Sequence, residues 1–200
     1  MSAMSLAEVA VKQRPIGARP GARRRLALAA ARAIATEGGY ELVTMREVAT
    51  RSGVARATLY RYFSSKDHLL AEVILDLNAE LREDLRTNPP VGATPAERVT
   101  DAFARVLHAV AREPKLLAAT LRAFFSQDPA VRAIGPEIRR MSSAYVEAGL
   151  GDANVPERAE IARVLGPLSF AMLLTISGGH RTYEEAVDDI RCAARLLLKG

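Results

Sequence analysis

The segment Thr44–Leu70, TMREVATRSGVARATLYRYFSSKDHLL, restricts the fold more than any other part of the chain. It reads as two short helices hinged on Gly53, followed by a third helix opening at Ser64. Thr44 and Glu47 stand at the T-x-x-E spacing of a capping box. Ala49 is small enough to let two helices approach, Gly53 permits the backbone of a tight turn, and Leu59 is the apolar residue that fills the space between them. Val48 and Val54 complete that core, and Ser64 with Asp67 forms a second capping pair. The spacing predicts a helix-turn-helix unit.

The second of these helices carries Arg56, Thr58, Tyr60, Arg61 and Tyr62 on little more than two turns. Guanidinium, hydroxyl and phenol groups are what a helix needs to sit in the major groove of DNA. Arg56, near the helix start, is placed for a bidentate contact to guanine O6/N7, with a phosphate clamp as the alternative. Arg46 suits base or phosphate, and Thr58 a thymine methyl or a phosphate. Tyr60 and Tyr62 are two residues apart and diverge on a helix. Both suit phosphate through their OH groups, unless one packs on the core. Arg61 falls between groove and backbone roles. Lys66 stands at a helix N-terminus, where charge and free amides converge on phosphate, and Thr44 combines a cap with a phosphate contact. Arg23, Arg24 and Arg25 either track the duplex or form a solvated basic face.

Charge follows the same division. Residues 1–66 hold twelve Lys/Arg against four acids, a net of +8, and the remainder carries −3, for the chain total of +5. A phosphate-facing module joined to a near-neutral body has this pattern. Ala, Leu, Arg and Glu abundance favours helices, and strand alternation is missing. The single Cys192 rules out an internal disulfide and fits a cytoplasmic address. No secretory signal and no apolar run of transmembrane length is read from the sequence, so no membrane association is expected. His68, His108 and His180 lie far apart, with no metal-ligand spacing, phosphate-binding glycine loop or nucleophile elbow nearby. Neither metal, cofactor nor enzymatic activity is expected.

Along the chain, residues 1–21 read as a flexible basic arm, 22–66 as the DNA-binding head, and 67–200 as an effector-binding and dimerisation domain. The first helix pattern starts at Ala22 and ends at Gly38-Gly39. A long helix from Lys66 to about Arg86 carries Leu69, Leu70, Val73, Ile74, Leu77 and Leu81, and Asn88–Gly92 breaks the chain. Helix starts recur at Thr94-Pro95, Pro114, Asp128-Pro129 (with an interruption expected at Gly135-Pro136), Pro156 and Thr182. The architecture expected is all-α, with about nine helices. Phe103, Leu107, Leu121, Phe124, Met141, Tyr145, Phe170 and Leu174 are candidate walls of an effector pocket, with ordinary core as the alternative for each. Broad apolar stripes on the last two helices suit a homodimer built as a four-helix bundle.

Several pieces of the head resemble the TetR family of transcriptional repressors: Gly38-Gly39-Tyr40, Thr44-x-Arg46-x-Val48-Ala49, Gly53-Val54, Thr58-Leu59-Tyr60-x-Tyr62-Phe63 and Ser65-Lys66. The resemblance implies a dimer whose two heads read a palindromic double-stranded operator. It also implies a ligand in the C-terminal helices that moves the heads and releases DNA. Ala55 and Ala57 depart from the Ser and Gly frequent in the family. The first removes a hydroxyl, the second adds bulk at the groove. Gly38–Glu41, Met45-Arg46, Val54-Ala55, Leu59–Phe63, His68–Leu70, Gly92–Pro95 and Arg122-Ala123 are similar to the family's actinobacterial cholesterol-catabolism subgroup. That implies a hydrophobic effector, sterol-derived or an acyl-CoA thioester. Two other readings stand beside this one: an architectural DNA-binding protein without effector, and a helical small-molecule enzyme.

Overall fold

The computed structural model describes residues 20–198, and these form nine helices and no strand. Most of the expected arm, residues 1–19, lies outside the described residues, and α1 (Pro20–Leu42) takes in its last two. Helical geometry is interrupted at Gly39, whose φ of 71° few L-residues adopt, so the expected stop at Gly38-Gly39 is where the backbone turns.

Thr44 caps α2 (Met45–Ser52) by accepting from the Glu47 amide, and Gly53, at φ 68°, ends it in the left-handed region. The capping box is only half made, because the Glu47 carboxylate pairs with Arg51. The third helix, α3 (Arg56–Tyr62), begins without a side-chain cap at Ala55, as the missing hydroxyl predicts. The next cap differs from expectation. Ser65, not Ser64, accepts from the His68 amide and opens α4 (Lys66–Thr87). Ser64 lies one residue outside the cap position, so its hydroxyl is directed elsewhere.

The remaining helices are α5 (Pro95–Ala111), α6 (Pro114–Phe124), α7 (Pro129–Leu150), α8 (Arg158–Ser177) and α9 (Tyr183–Leu197). Complete capping boxes at Thr94/Glu97 and Thr182/Glu185 fix the starts of α5 and α9. The expected interruption at Gly135-Pro136 does not occur, and α7 continues through it. Pro136 removes one helical donor, but residues are buried on both sides of it, Val131 and Gly135 before and Met141 and Tyr145 beyond.

Two hydrophobic cores share α4. Leu69, Leu70 and Val73 belong to the first, with Leu28, Ile34, Val48, Leu59 and Phe63 from α1 to α3 and the following turn; Leu85 belongs to the second, with Phe103, Val146, Leu165 and Ile190. At 22 residues α4 is about 33 Å long, enough to span both. Leu116, Ala119 and Ala123 of α6 are also part of the first core. The head therefore rests on a helix supplied by the second half of the chain. In the second core, Gly149 of α7 packs against the Val99 backbone of α5, where an added Cβ would come within 2.5 Å of the Val99 Cα.

One helix exceeds the sequence expectation. By length and apolar composition α8 is able to cross a bilayer. Its charges, Arg158, Glu160 and Arg163, all fall in the first six positions, and the helix packs against α5, α6, α7 and α9.

Candidate nucleic-acid interface and effector region

Leu59, completely buried, turns one side of α3 into the head's core, which leaves Arg56, Ala57, Tyr60 and Arg61 exposed and Thr58 half-buried. The two tyrosines divide as their spacing requires. Tyr60 is 50% exposed, whereas Tyr62 packs against the core with its ring edge-on to Phe63. Of the two phosphate-contact candidates, Tyr60 is the one standing in solvent.

Ion pairing sorts the arginines of the head into two sets. Arg24 pairs with Glu72 at 2.5 Å, Arg32 with Glu80 and Glu113, and Arg51 with Glu37 and Glu47. Arg46, Arg56 and Arg61 are exposed and form no ion pair among the described residues; exposed Arg25 and half-buried Arg23 form none either. The first set fastens α1 and α2 to their neighbours. Of the second, Arg46, Arg56 and Arg61 lie on the helix-turn-helix, with guanidiniums available to an outside anion or base edge.

Lys66 is placed less simply than a free cation at a helix start. It is half-buried, its Nζ lies 3.7 Å from the centre of the Tyr40 ring, and it donates to the Tyr40 carbonyl at 3.4 Å. Arg122 of α6 lies over the same ring at 3.9 Å and pairs with Glu41 at 2.6 Å. The Tyr40 hydroxyl donates to Asp67 at 2.6 Å. Burial, then this bond to a carboxylate, pushes its pKa up to about 12. Further ties from beyond α5 reach the head. Glu113 accepts from Thr36, Lys115 donates to the Glu37 carbonyl, and Asp128 accepts from both Ser64 and Ser65. Residue-by-residue reading of the sequence missed Glu113, Lys115 and Asp128, since each partner lies more than sixty positions away. Thr44 is exposed, with its side chain occupied as the α2 cap.

The eight pocket candidates separate into a core set and a junction set. Phe103, Leu107 and Tyr145 are buried in the second core, with Phe103 and Tyr145 edge-to-face at 5.8 Å. The Tyr145 hydroxyl donates to Asn78 of α4, and burial raises its pKa. Phe124 and Phe170 meet at 5.2 Å between α6 and α8, joined by Phe125, which is 57% exposed. Leu121 and Met141 are buried, and Leu174 is exposed. None of the eight lines the open groove of about 380 Å³ between α1 and α4, whose walls include Arg32, Glu37, Asp76 and Glu80. Arg32 and Glu80 pair across that groove.

Comparison with known proteins matches two parts of the chain. Residues 27–73 match the family described as bacterial regulatory proteins, tetR family, and residues 92–197 match the tetracyclin repressor-like C-terminal domain. The chain belongs to the TetR family. The HTH-type transcriptional repressor KstR of Rhodococcus jostii is 32% identical over 177 residues, covering 88% of this chain and 82% of the relative. An uncharacterized HTH-type transcriptional regulator of Mycobacterium tuberculosis, Rv0767c, is 37% identical over 182 residues, covering 88% and 80%. The crystal structure of a TetR transcriptional regulator from Rhodococcus sp. RHA1 superposes with a TM-score of 0.77 at 30% identity, covering 89% of this chain and 96% of that one. As a TetR-family member the chain is a DNA-binding transcriptional regulator rather than an enzyme.

Proposed function

We propose that this TetR-family regulator is a repressor that binds a palindromic operator as a homodimer and is released by a small hydrophobic effector. The observation that carries the reading is the sorting of the arginines. Arg46, Arg56, Arg61 and Tyr60 stand exposed on α2 and α3, while Arg24, Arg32 and Arg51 are held by carboxylates. Arg56 is the base reader; Arg46, Thr58 and Arg61 flank it, and Thr44, Tyr60 and Lys66 meet phosphate, while Tyr62 packs on the head's core. Residues 22–66 act as the head and 67–200 as the effector-binding and dimerisation domain.

Homodimerisation through α8 and α9 is supported by the apolar side chains these helices leave uncovered, Val164 and Leu174 on α8 and Leu196 and Leu197 on α9. A C2 pairing would cover them. Release by effector is supported by α6. One face of it lies in the head's core, and Phe124 at its end meets Phe170 of α8. The effector class is a sterol-derived molecule or an acyl-CoA thioester, by the resemblance to the cholesterol-catabolism subgroup. The protein acts in the cytoplasm, where its operator is.

Selection of bound duplexes from random DNA by the full-length protein tests the reading. A palindrome is expected, and cholestenone or a long-chain acyl-CoA thioester is expected to release it. Sequence-tolerant binding that no such molecule weakens would favour an architectural role.

A further inference from the structure

We infer that Asp128 is a positioning residue for DNA reading, fastening the junction of α3 and α4 to the start of α7. The inference rests on the reading above of two heads on one palindrome, and names a residue that holds each head at its angle.

The Asp128 carboxylate works in two directions. Toward its own helix it accepts from the Ala130 amide at 2.8 Å, capping α7. Toward the head it accepts from the Ser65 hydroxyl, and from the Ser64 hydroxyl at 3.1 Å. Ser65 is itself the α4 cap, accepting from the His68 amide at 3.0 Å, so one hydroxyl and one carboxylate link the first turns of α4 and α7. Ser64 has an alternative acceptor in His68 Nδ1 at 3.2 Å, but that nitrogen already accepts from the Ser64 amide at 3.1 Å, which leaves the hydroxyl proton for Asp128. Charge-assisted bonds of this kind hold geometry better than neutral ones. The bond from Ser65 holds the Asp128 carboxyl below its usual range, so the anion is the form present at neutral pH.

The leverage on DNA reading comes from the short path to α3. Tyr62 ends that helix, and only Phe63, completely buried, separates it from Ser64. A shift at Ser64 and Ser65 has no slack in which to dissipate and turns α3 with it. The other ties from the later helices, at Arg122, Lys115 and Glu113, reach the second half of α1 instead.

Asp128→Asn tests this without removing the cap, because Asn caps helices about as well as Asp. Ser64→Ala removes one of the two hydroxyls that Asp128 holds, leaves the Ser65 bond, and touches neither cap. Both full-length variants are compared with wild type on a duplex selected from random DNA, and on duplexes whose half-sites are moved by one base pair. Wild type should strongly prefer the selected spacing. Each variant should lose roughly tenfold of that preference, the size of one charge-assisted hydrogen bond, with the melting midpoint lowered by no more than about 2–5 °C. Hydrogen exchange of the free proteins is read in parallel, and should quicken at the amides of Leu59–Phe63 and at His68 but not in α8. Variants that keep wild-type spacing preference, or wild-type exchange at those amides, overturn the inference. If wild type ignores spacing, the two-head reading fails on its own, and unchanged exchange would then remove the fastening role as well.

Discussion

The guanidinium of Arg122, on α6, lies 3.9 Å from the centre of the Tyr40 ring at the end of α1, and Lys66, at the start of α4, lies 3.7 Å from that same ring. One aromatic side chain thus takes a cation from each of two helices that begin more than forty residues apart. Arg122→Ala should cost about 0.5–1 kcal/mol of stability, the size of one exposed cation–π contact, with little added by the exposed pair to Glu41. Urea denaturation measures it, and a loss well above that range would mean that Arg122 does more than cover the ring.

Tyr40 gives the fold an alkaline limit. Its pKa is raised from an ordinary 10.0 to about 12 by burial and the bond to Asp67. A raised value means the folded state holds the proton more tightly than the unfolded chain. That stabilisation is complete below the unfolded pKa and is lost as pH rises through the folded one. Stability should fall between those two values, and Tyr40→Phe should flatten this slope. Urea midpoints across the alkaline range, with phenolate absorbance to follow Tyr40, provide the check.

Leu59→Ala should cost about 2–5 kcal/mol, because the side chain is completely buried where α3 meets α1 and α2. DNA binding should disappear with the head's packing while far-UV helicity from α5 to α9 largely persists. Circular dichroism and a DNA-binding assay on the same sample separate the two effects.

Gly149→Ala strikes the other core. A Cβ there meets the Val99 backbone at 2.5 Å, and backbone gives way less readily than a side-chain tip. A loss of about 1–3 kcal/mol is expected from separating α5 and α7. A thermal midpoint equal to wild type would show that the crossing is looser than this geometry.

Local chemistry made much of this legible from the sequence. Thr44, Gly53, Leu59, Thr94 and Thr182 act through neighbours within a few positions, so caps, turn and helix starts follow from spacing. Ser64 was misplaced as a cap by one position, because Ser64 and Ser65 offer the same hydroxyl and only the backbone chooses between them. Asp128 reads as an ordinary α7 cap, and nothing near it in sequence announces Ser64 and Ser65 across more than sixty residues. The same limit hid the place of Leu116, Ala119 and Ala123 in the head's core. For the pocket candidates spacing decides nothing, since Phe103 and Phe170 share helical spacing whether they wall a ligand or fill a core.

The most direct measurement for the account is affinity of the Arg56→Ala variant across single-base variants of a selected operator. Arg56 is exposed, forms no ion pair among the described residues and belongs to no core, so its loss should leave the fold intact. If Arg56 reads a guanine, wild type should lose about 1–3 kcal/mol when that base is changed, and the variant should be indifferent there while still discriminating elsewhere. Equal losses of affinity on operator and random DNA would contradict the account and reduce Arg56 to a phosphate contact.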